Sequence, residues 1–115
     1  MIPRPLALVV EDSEDQVELL RRYLGREGFD TFAALDAEAA IAALDDICPQ
    51  VAIIDLLLPG ISGAECALRV RERFPDCRLV ISSVLDEADY PAADAALPKP
   101  VRGSEFHDMM QRMYP

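Results

Sequence analysis

A chain of 115 residues is about the length of one domain with a single hydrophobic core. Hydrophobic residues make up 51% of it and charged residues 28%, which is typical of a globular protein rather than a disordered one. No apolar run approaches the ~20 residues of a membrane span, and the net charge of -10 argues against direct binding to nucleic acid.

The acidic balance favours cations or basic proteins as partners. The three cysteines, Cys48, Cys66 and Cys77, are scattered and form no C-x-x-C pair, which indicates reduced thiols rather than a disulfide framework or a metal site. The N-terminus has no basic segment followed by an apolar one. We therefore expect a cytoplasmic protein that makes no membrane contact.

The first predicted strand is LALVV (6–10), an uninterrupted apolar run. A helix is predicted over 13–28, because Ser13 and Gln16 have the spacing of a capping box and apolar residues then recur on one helical face. Gly28 is a suitable C-terminal stop for it.

A second, weaker strand is predicted at DTFAAL (30–35). Asp36 is placed to cap an alanine-rich helix over 37–47. VAIID (51–55) is the third predicted strand. Its last residue is an aspartate, and burying an unpaired carboxylate is costly.

After a Pro-Gly loop, Ser62 opens a third helix that stops before Pro75. RLVIS (78–82) is the fourth predicted strand and ALP (96–98) a short fifth. The chain ends in an amphipathic helix, VRGSEFHDMMQRMY (101–114), with its phenylalanine and methionines on the apolar face.

Apolar strands that alternate with helices indicate a parallel sheet covered on both faces. Right-handed crossovers make this a doubly wound α/β domain. In such sheets ligands bind at the carboxyl ends of the strands, near the point where strand order reverses. Functional residues are therefore expected at the strand ends.

Polar side chains do stand at those ends. If the first and third strands are neighbours, about 4.8 Å apart, their terminal carboxylates meet. The residues in question are Glu11 and Asp12 after the first strand, Asp55 in the third, Ser82 and Ser83 at the end of the fourth and Lys99 after the fifth.

Three carboxylates this close repel one another and raise at least one pKa unless a cation compensates. An oxygen-rich cluster without sulphur suits Mg²⁺ better than zinc or copper. Lys99 adds a compact positive charge and Ser82 a hydroxyl. The set predicts a site for a phosphoryl group, with an aspartate as covalent acceptor and catalysis by positioning and electrostatics.

Four motifs, in this order, resemble the receiver domain of two-component response regulators, in particular a single-domain receiver of the chemotaxis type. They span nearly the whole chain: VVEDSEDQ (9–16), IIDLLLPGISG (53–63), VISS (80–83) and LPKP (97–100). The resemblance implies one receiver domain over 1–115. It also implies a flavodoxin-like, five-stranded parallel sheet in the order 2-1-3-4-5.

The resemblance further implies roles for individual residues. Asp55 matches the phosphoryl acceptor, Ser82 the hydroxyl that follows the phosphoryl group, and Lys99 the invariant lysine, which a cis bond to Pro100 aims inward. The implied Mg²⁺ ligands are Glu11, Asp12, Asp55 and the backbone carbonyl of Leu57.

The resemblance implies partners as well. The phosphoryl donor would be a phosphohistidine on a sensor histidine kinase or a histidine phosphotransfer protein, and small phosphodonors are used by many receivers. The domain would then hydrolyse its own acyl phosphate, as a regulatory phosphoacceptor rather than an enzyme with external substrates.

The chain departs from the family pattern in one region. Only sixteen residues separate Ser82 from Lys99, and Pro91 interrupts them, so we expect the fourth helix to be missing or reduced to a turn or two. Ala96 stands where the family's signalling face has an aromatic residue on the fifth strand. We expect an altered face of fourth helix, fifth strand and last helix. Apolar sheet surface exposed there would bind an effector or a second copy of the chain.

Other interpretations remain. The chain is alternatively a degenerate receiver that acts through protein contacts without phosphorylation. An aspartate-based phosphatase is disfavoured, because such enzymes usually carry a second aspartate where this chain has Leu57. Ser83 is an alternative to Ser82, and His107 is expected to be a surface residue.

Overall fold

A five-stranded parallel sheet lies at the centre of the computed structural model, which describes residues 3–114. The elements are β1 (Leu6–Val10), α1 (Glu14–Arg26), β2 (Asp30–Ala34), α2 (Ala37–Ala43), β3 (Val51–Asp55), α3 (Gly63–Arg73), β4 (Arg78–Ser82), β5 (Ala95–Ala96) and α4 (Gly103–Met113). The strand order is β2-β1-β3-β4-β5, with every neighbouring pair parallel. The expected flavodoxin-like α/β fold and strand order are confirmed.

Alternate residues of each strand enter two separate cores. Ala7 and Val9 of β1 join a core with α1 and α4, while Leu8 and Val10 join another with α2 and α3. This division follows from the two-residue period of a strand. Because both faces are covered by helices, the apolar runs of β1, β3 and β4 are almost entirely buried.

The predicted helix starts are confirmed by side-chain caps. The Ser13 hydroxyl accepts a hydrogen bond from the amide of Gln16 at 3.4 Å, and the Ser62 hydroxyl one from the amide of Glu65 at 3.1 Å. Asp36 Oδ1 accepts from the amide of Ala39 at 2.7 Å. Each cap satisfies a backbone donor that the helix itself leaves free.

Several predicted boundaries were wrong, by up to four residues. The second helix ends at Ala43 rather than at 47, because the amide of Leu44 already bonds back three residues to Ile41 and the α-helical pattern stops. β5 lies at 95–96 rather than 96–98. The amide of Leu97 still donates to Ile81 at 2.8 Å, but Pro98 has no amide hydrogen with which to continue the ladder.

The crossover segment, residues 84–94, contains a single 3-10 turn at Glu87–Asp89. The prediction that the fourth helix is missing or reduced is therefore confirmed. The expected exposure of the sheet was wrong: Leu79 and Ile81 are buried, and the ring of Tyr90 packs against their core. The exposed large apolar side chains include Val84 and Leu85 of the crossover segment itself and Leu68 of α3.

Within residues 3–114, none of the helices has both the length and the apolar character that a membrane span requires.

Candidate functional site

The predicted site residues converge at the carboxyl ends of β1, β3 and β4. Glu11 directly follows β1, and Asp55 is the last residue of β3. Asp55 is paired in register with Ser82, the last residue of β4. Because opposed residues of neighbouring strands project from the same face, the Ser82 hydroxyl lies on the same side of the sheet as the Asp55 carboxylate.

Lys99 joins these strand ends from the loop after β5. Its Nζ donates to Glu11 Oε1 at 2.7 Å and to Asp55 Oδ2 at 2.9 Å. The Lys99 side chain is 14% exposed, and the two carboxylate side chains are 3% and 7% exposed. The bond between Lys99 and Pro100 is cis, as expected. The buried ammonium of Lys99 thus bridges two buried carboxylates, so the carboxylate of Asp55 at the end of β3 is not left unpaired.

The other oxygen of Asp55 is bound by the backbone. Asp55 Oδ1 accepts a 3.0 Å hydrogen bond from the amide of Leu57. The Leu57 side chain points outward and is 51% exposed. Leu57 therefore contacts Asp55 through its backbone amide. The role of its carbonyl as a Mg²⁺ ligand stays a prediction.

Tight backbone packing holds the loop after Asp55. The amide of Gly63 donates to the carbonyl of Leu56 at 3.3 Å. A Cβ atom at position 63 would collide with the carbonyl oxygen of Asp55. Glu38 of α2 supports the same loop by accepting from the amide of Ile61 at 3.4 Å. The sequence analysis did not identify Gly63 or Glu38.

The acidic cluster has the ligand set of a hard cation. Carboxylate oxygens of Glu11, Asp12 and Asp55 lie within 4.8 Å of one another. Glu11 Oε2 is buried without a hydrogen-bond partner among the described residues, and Asp12 is exposed at the mouth. An oxygen-only cluster with one unused buried oxygen and one solvent-facing carboxylate fits Mg²⁺.

The pKa values of the two buried carboxyl groups in the cluster are shifted in opposite directions. Burial raises the pKa of Glu11 from 4.5 to about 7, and the neighbouring Asp55 adds to the rise. Burial acts in the same direction on Asp55, but its interactions with Glu11, Lys99 and the Leu57 amide outweigh it and lower the pKa of Asp55. Burial would lower the pKa of Lys99, yet its bonds to Glu11 and Asp55 raise it. Asp55 is thus the carboxyl that stays ionised.

The two serines at the end of β4 differ in the hydrogen bonding of their hydroxyl groups. Ser82 is 2% exposed, and its Oγ has no hydrogen-bond partner within residues 3–114. The Ser83 hydroxyl accepts from the amide of Leu85 at 3.2 Å in a local turn. The free hydroxyl opposite Asp55 favours Ser82 over Ser83 for a role at the site.

One residue at the site was missed by the sequence analysis. The hydroxyl of Tyr90 donates to the carbonyl of Ser83 at 2.7 Å and accepts from its amide at 3.1 Å. Seven residues separate Tyr90 from Ser83, and no local sequence pattern indicates this contact. His107 lies elsewhere, on the exposed face of α4 beside Glu27.

Comparison with known proteins assigns the family. The family model of the response regulator receiver domain matches residues 7–111. The chain is 35% identical over 105 residues to the transcriptional regulatory protein YrkP of Bacillus subtilis, covering 87% of this chain and 45% of YrkP. It is 40% identical over 77 residues to the phosphate regulon transcriptional regulatory protein PhoB of Rhizobium meliloti, covering 67% and 34% respectively.

A solved structure extends the comparison. The response regulator TrrA of Thermotoga maritima, determined in complex with Mg²⁺ and BeF, superposes with a TM-score of 0.84 at 26% identity, covering 95% of this chain and 98% of TrrA. The chain spans less than half the length of the curated relatives YrkP and PhoB.

The chain belongs to the response regulator receiver domain family. It is a receiver domain of two-component signal transduction, a regulatory phosphoacceptor module of the kind that works with histidine kinases. Its acidic pocket of Glu11, Asp12 and Asp55 is consistent with the Mg²⁺-binding phosphoacceptor site of such a domain.

Proposed function

We propose that residues 1–115 form a single receiver domain of the chemotaxis type, which accepts a phosphoryl group on Asp55. The observation that carries this proposal is the state of Asp55: a strand-end carboxylate, held at both oxygens and kept ionised inside an acidic cluster. The donor is a phosphohistidine on a sensor histidine kinase or a histidine phosphotransfer protein. Three free thiols are in keeping with the cytoplasm as the place of this exchange.

The transfer makes one bond and breaks one. An oxygen of the Asp55 carboxylate attacks phosphorus, the P–N bond to the donor imidazole breaks, and the ring nitrogen keeps the electron pair and takes a proton from solvent. Hydrolysis reverses the modification: water attacks phosphorus, the P–O bond to Asp55 breaks, and inorganic phosphate leaves. Regulation therefore depends on how long the acyl phosphate lasts.

The chain's own groups provide charge and orientation. Lys99 lies beside Asp55 Oδ2 and supplies a positive charge next to the transferring oxygens. Ser82 offers a hydroxyl donor on the same side of the sheet. Glu11, Asp12, Asp55 and the carbonyl of Leu57 would hold Mg²⁺, which supplies further positive charge when bound.

The output surface is the altered face formed by the crossover segment, β5 and α4. Val84 and Leu85 are exposed there beside the acidic turn at 87–89. We infer that an effector protein, or a second copy of the chain, binds this face rather than nucleic acid or a membrane.

One observation favours a second candidate function. Ala96 has no ring with which to couple the site to the output face, and this suits a degenerate receiver that works through protein contacts alone. An aspartate-based phosphatase is less well supported, because Leu57 presents an exposed apolar side chain where a second aspartate would be needed.

Incubation with Mg²⁺ and a small acyl phosphate, followed by intact-mass measurement, separates these functions. A receiver gains the mass of one phosphoryl group, and loses that gain in Asp55→Asn and in excess EDTA. A degenerate receiver gains nothing in any arm. Sustained release of phosphate from an external phosphomonoester would identify a phosphatase.

A further inference from the structure

Tyr90 ties the crossover segment to the end of β4 through a single atom. Its hydroxyl oxygen contacts both main-chain polar groups of Ser83, donating to the carbonyl at 2.7 Å and accepting from the amide at 3.1 Å. Ser83 is fully buried, so both groups would otherwise lack a solvent partner. The same Ser83 carbonyl also accepts from the amide of Lys99 at 3.0 Å.

The amide that Tyr90 binds belongs to the peptide between Ser82 and Ser83. The orientation of that peptide fixes the backbone of Ser82 and so limits the directions in which its hydroxyl points. This hydroxyl is buried opposite Asp55 and has no hydrogen-bond partner in the described part of the chain. The direction of this hydroxyl is therefore set by the backbone of Ser82 and the rotamers it allows, not by a hydrogen bond.

The tyrosine is itself firmly held. Its ring packs against the core that contains Leu79 and Ile81. Burial raises the pKa of the Tyr90 phenol, and the nearby carboxylates of Glu87 and Asp55 add to the rise. The phenol thus keeps the proton that it donates to Ser83.

We propose that Tyr90 is a positioning residue for the chemistry at Asp55: its hydroxyl fixes the Ser82–Ser83 peptide and so keeps the Ser82 hydroxyl directed at the phosphoryl group. The inference rests on the proposed function for its kinetic consequence.

The substitution Tyr90→Phe tests this, because it removes only the hydroxyl. Tyr114→Phe is a matched control: the Tyr114 hydroxyl also donates to a backbone carbonyl, that of Gln50 at 3.0 Å, but at the opposite end of β3. Phosphorylation rates are measured with a small acyl phosphate and Mg²⁺ in wild type, both variants, Ser82→Ala and the double variant Ser82→Ala/Tyr90→Phe.

We expect Tyr90→Phe to slow phosphorylation about tenfold, as small misplacements of reacting groups do, and Tyr114→Phe to leave the rate unchanged. In the Ser82→Ala background, Tyr90→Phe should have no further effect. A Tyr90→Phe rate equal to that of wild type, or the same fold-loss with and without Ser82, overturns the proposal.

A second measurement does not depend on phosphorylation. Three-bond NMR couplings report the side-chain rotamer of Ser82 in the unmodified protein. We expect one dominant rotamer in wild type and Tyr114→Phe, and averaging in Tyr90→Phe; an unchanged rotamer overturns the proposal. If wild type gains no phosphoryl group, the proposed function fails, while the rotamer result still decides whether Tyr90 positions Ser82.

Discussion

The ammonium of Lys99 lies 2.9 Å from Oδ2 of Asp55, although 44 residues separate them along the chain. The same nitrogen lies 2.7 Å from Oε1 of Glu11, which is 88 residues away. Neither carboxylate has appreciable exposure to water. The buried charges of the site therefore stabilise one another, and it is the folding of the chain that brings them together.

Removing the positive charge of Lys99 tests whether the buried carboxylates depend on it. We expect Lys99→Met to lower the free energy of unfolding by roughly 3 kcal/mol at pH 8, because it leaves buried carboxylates without their partner. The loss should shrink at pH 5, where protonation of Glu11 relieves the repulsion. Urea denaturation in EDTA at the two pH values measures both effects.

Arg69→Met is the matched control for this change. Arg69 pairs with Glu65 on the surface of α3, where the two side chains are 50% and 43% exposed. Such a pair contributes at most about 1 kcal/mol. Equal losses in Lys99→Met and Arg69→Met would contradict the account of a buried charge network.

The sequence was sufficient to predict β1, β3 and β4, because their apolar runs are buried on both faces and tolerate no polar interruption. It also predicted the helix starts at Ser13, Asp36 and Ser62, where a local side-chain cap fixes the boundary. The predicted site residues are brought together because strand ends of a parallel sheet share one edge.

What the sequence did not predict depends on contacts across the fold. Tyr90 bonds to Ser83, and Glu38 to the loop at Ile61, and neither pair has a local sequence signal. The burial of Leu79 and Ile81 was missed for the same reason: the ring of Tyr90, in a short irregular segment, packs against the core that contains them. Residue patterns report helices and strands better than the packing of irregular loops.

The raised pKa of Glu11 predicts a specific pH dependence. Its pKa is about 7 in the folded chain against 4.5 for a glutamate free of these interactions, so the folded state holds this proton more tightly. Glu11 therefore contributes stability below pH 4.5 that is lost as pH rises through 7.

Urea denaturation in EDTA between pH 4.5 and 8 measures this effect. Because Glu11→Gln cannot lose a proton, the stability difference, variant minus wild type, should increase with pH across this range. A constant difference would show that Glu11 does not titrate with a raised pKa.

The binding of Mg²⁺ should stabilise the fold through the same carboxylates. At about one hundred times its dissociation constant, a ligand specific to the folded state adds about 2.7 kcal/mol. We expect Asp12→Asn to unfold like wild type in EDTA, since Asp12 is exposed, but to lose most of the gain with Mg²⁺. Thermal unfolding with and without the ion makes the comparison. Asp89→Asn, an exposed aspartate on the 3-10 turn, is the control, and it should keep the full gain.

Substitution by alanine is expected to have opposite effects on stability at Gly63 and at Gly25. Gly63→Ala places a Cβ against the carbonyl of Asp55, so we expect a loss of about 3 kcal/mol and weaker phosphorylation. Gly25 lies within α1 with nothing near its missing Cβ, so Gly25→Ala should gain about 0.8 kcal/mol from helix propensity. Chemical denaturation measures both, and a neutral Gly63→Ala would contradict the close approach described for this loop.

The assignment of Asp55 as the phosphoryl acceptor can be checked residue by residue. The protein is treated with Mg²⁺ and a small acyl phosphate, reduced with borohydride so that an aspartyl phosphate becomes homoserine, and mapped by peptide fragmentation. Homoserine is expected at position 55 and at no other acidic residue. Conversion at Glu11 or Asp12, or no conversion at all, would contradict it.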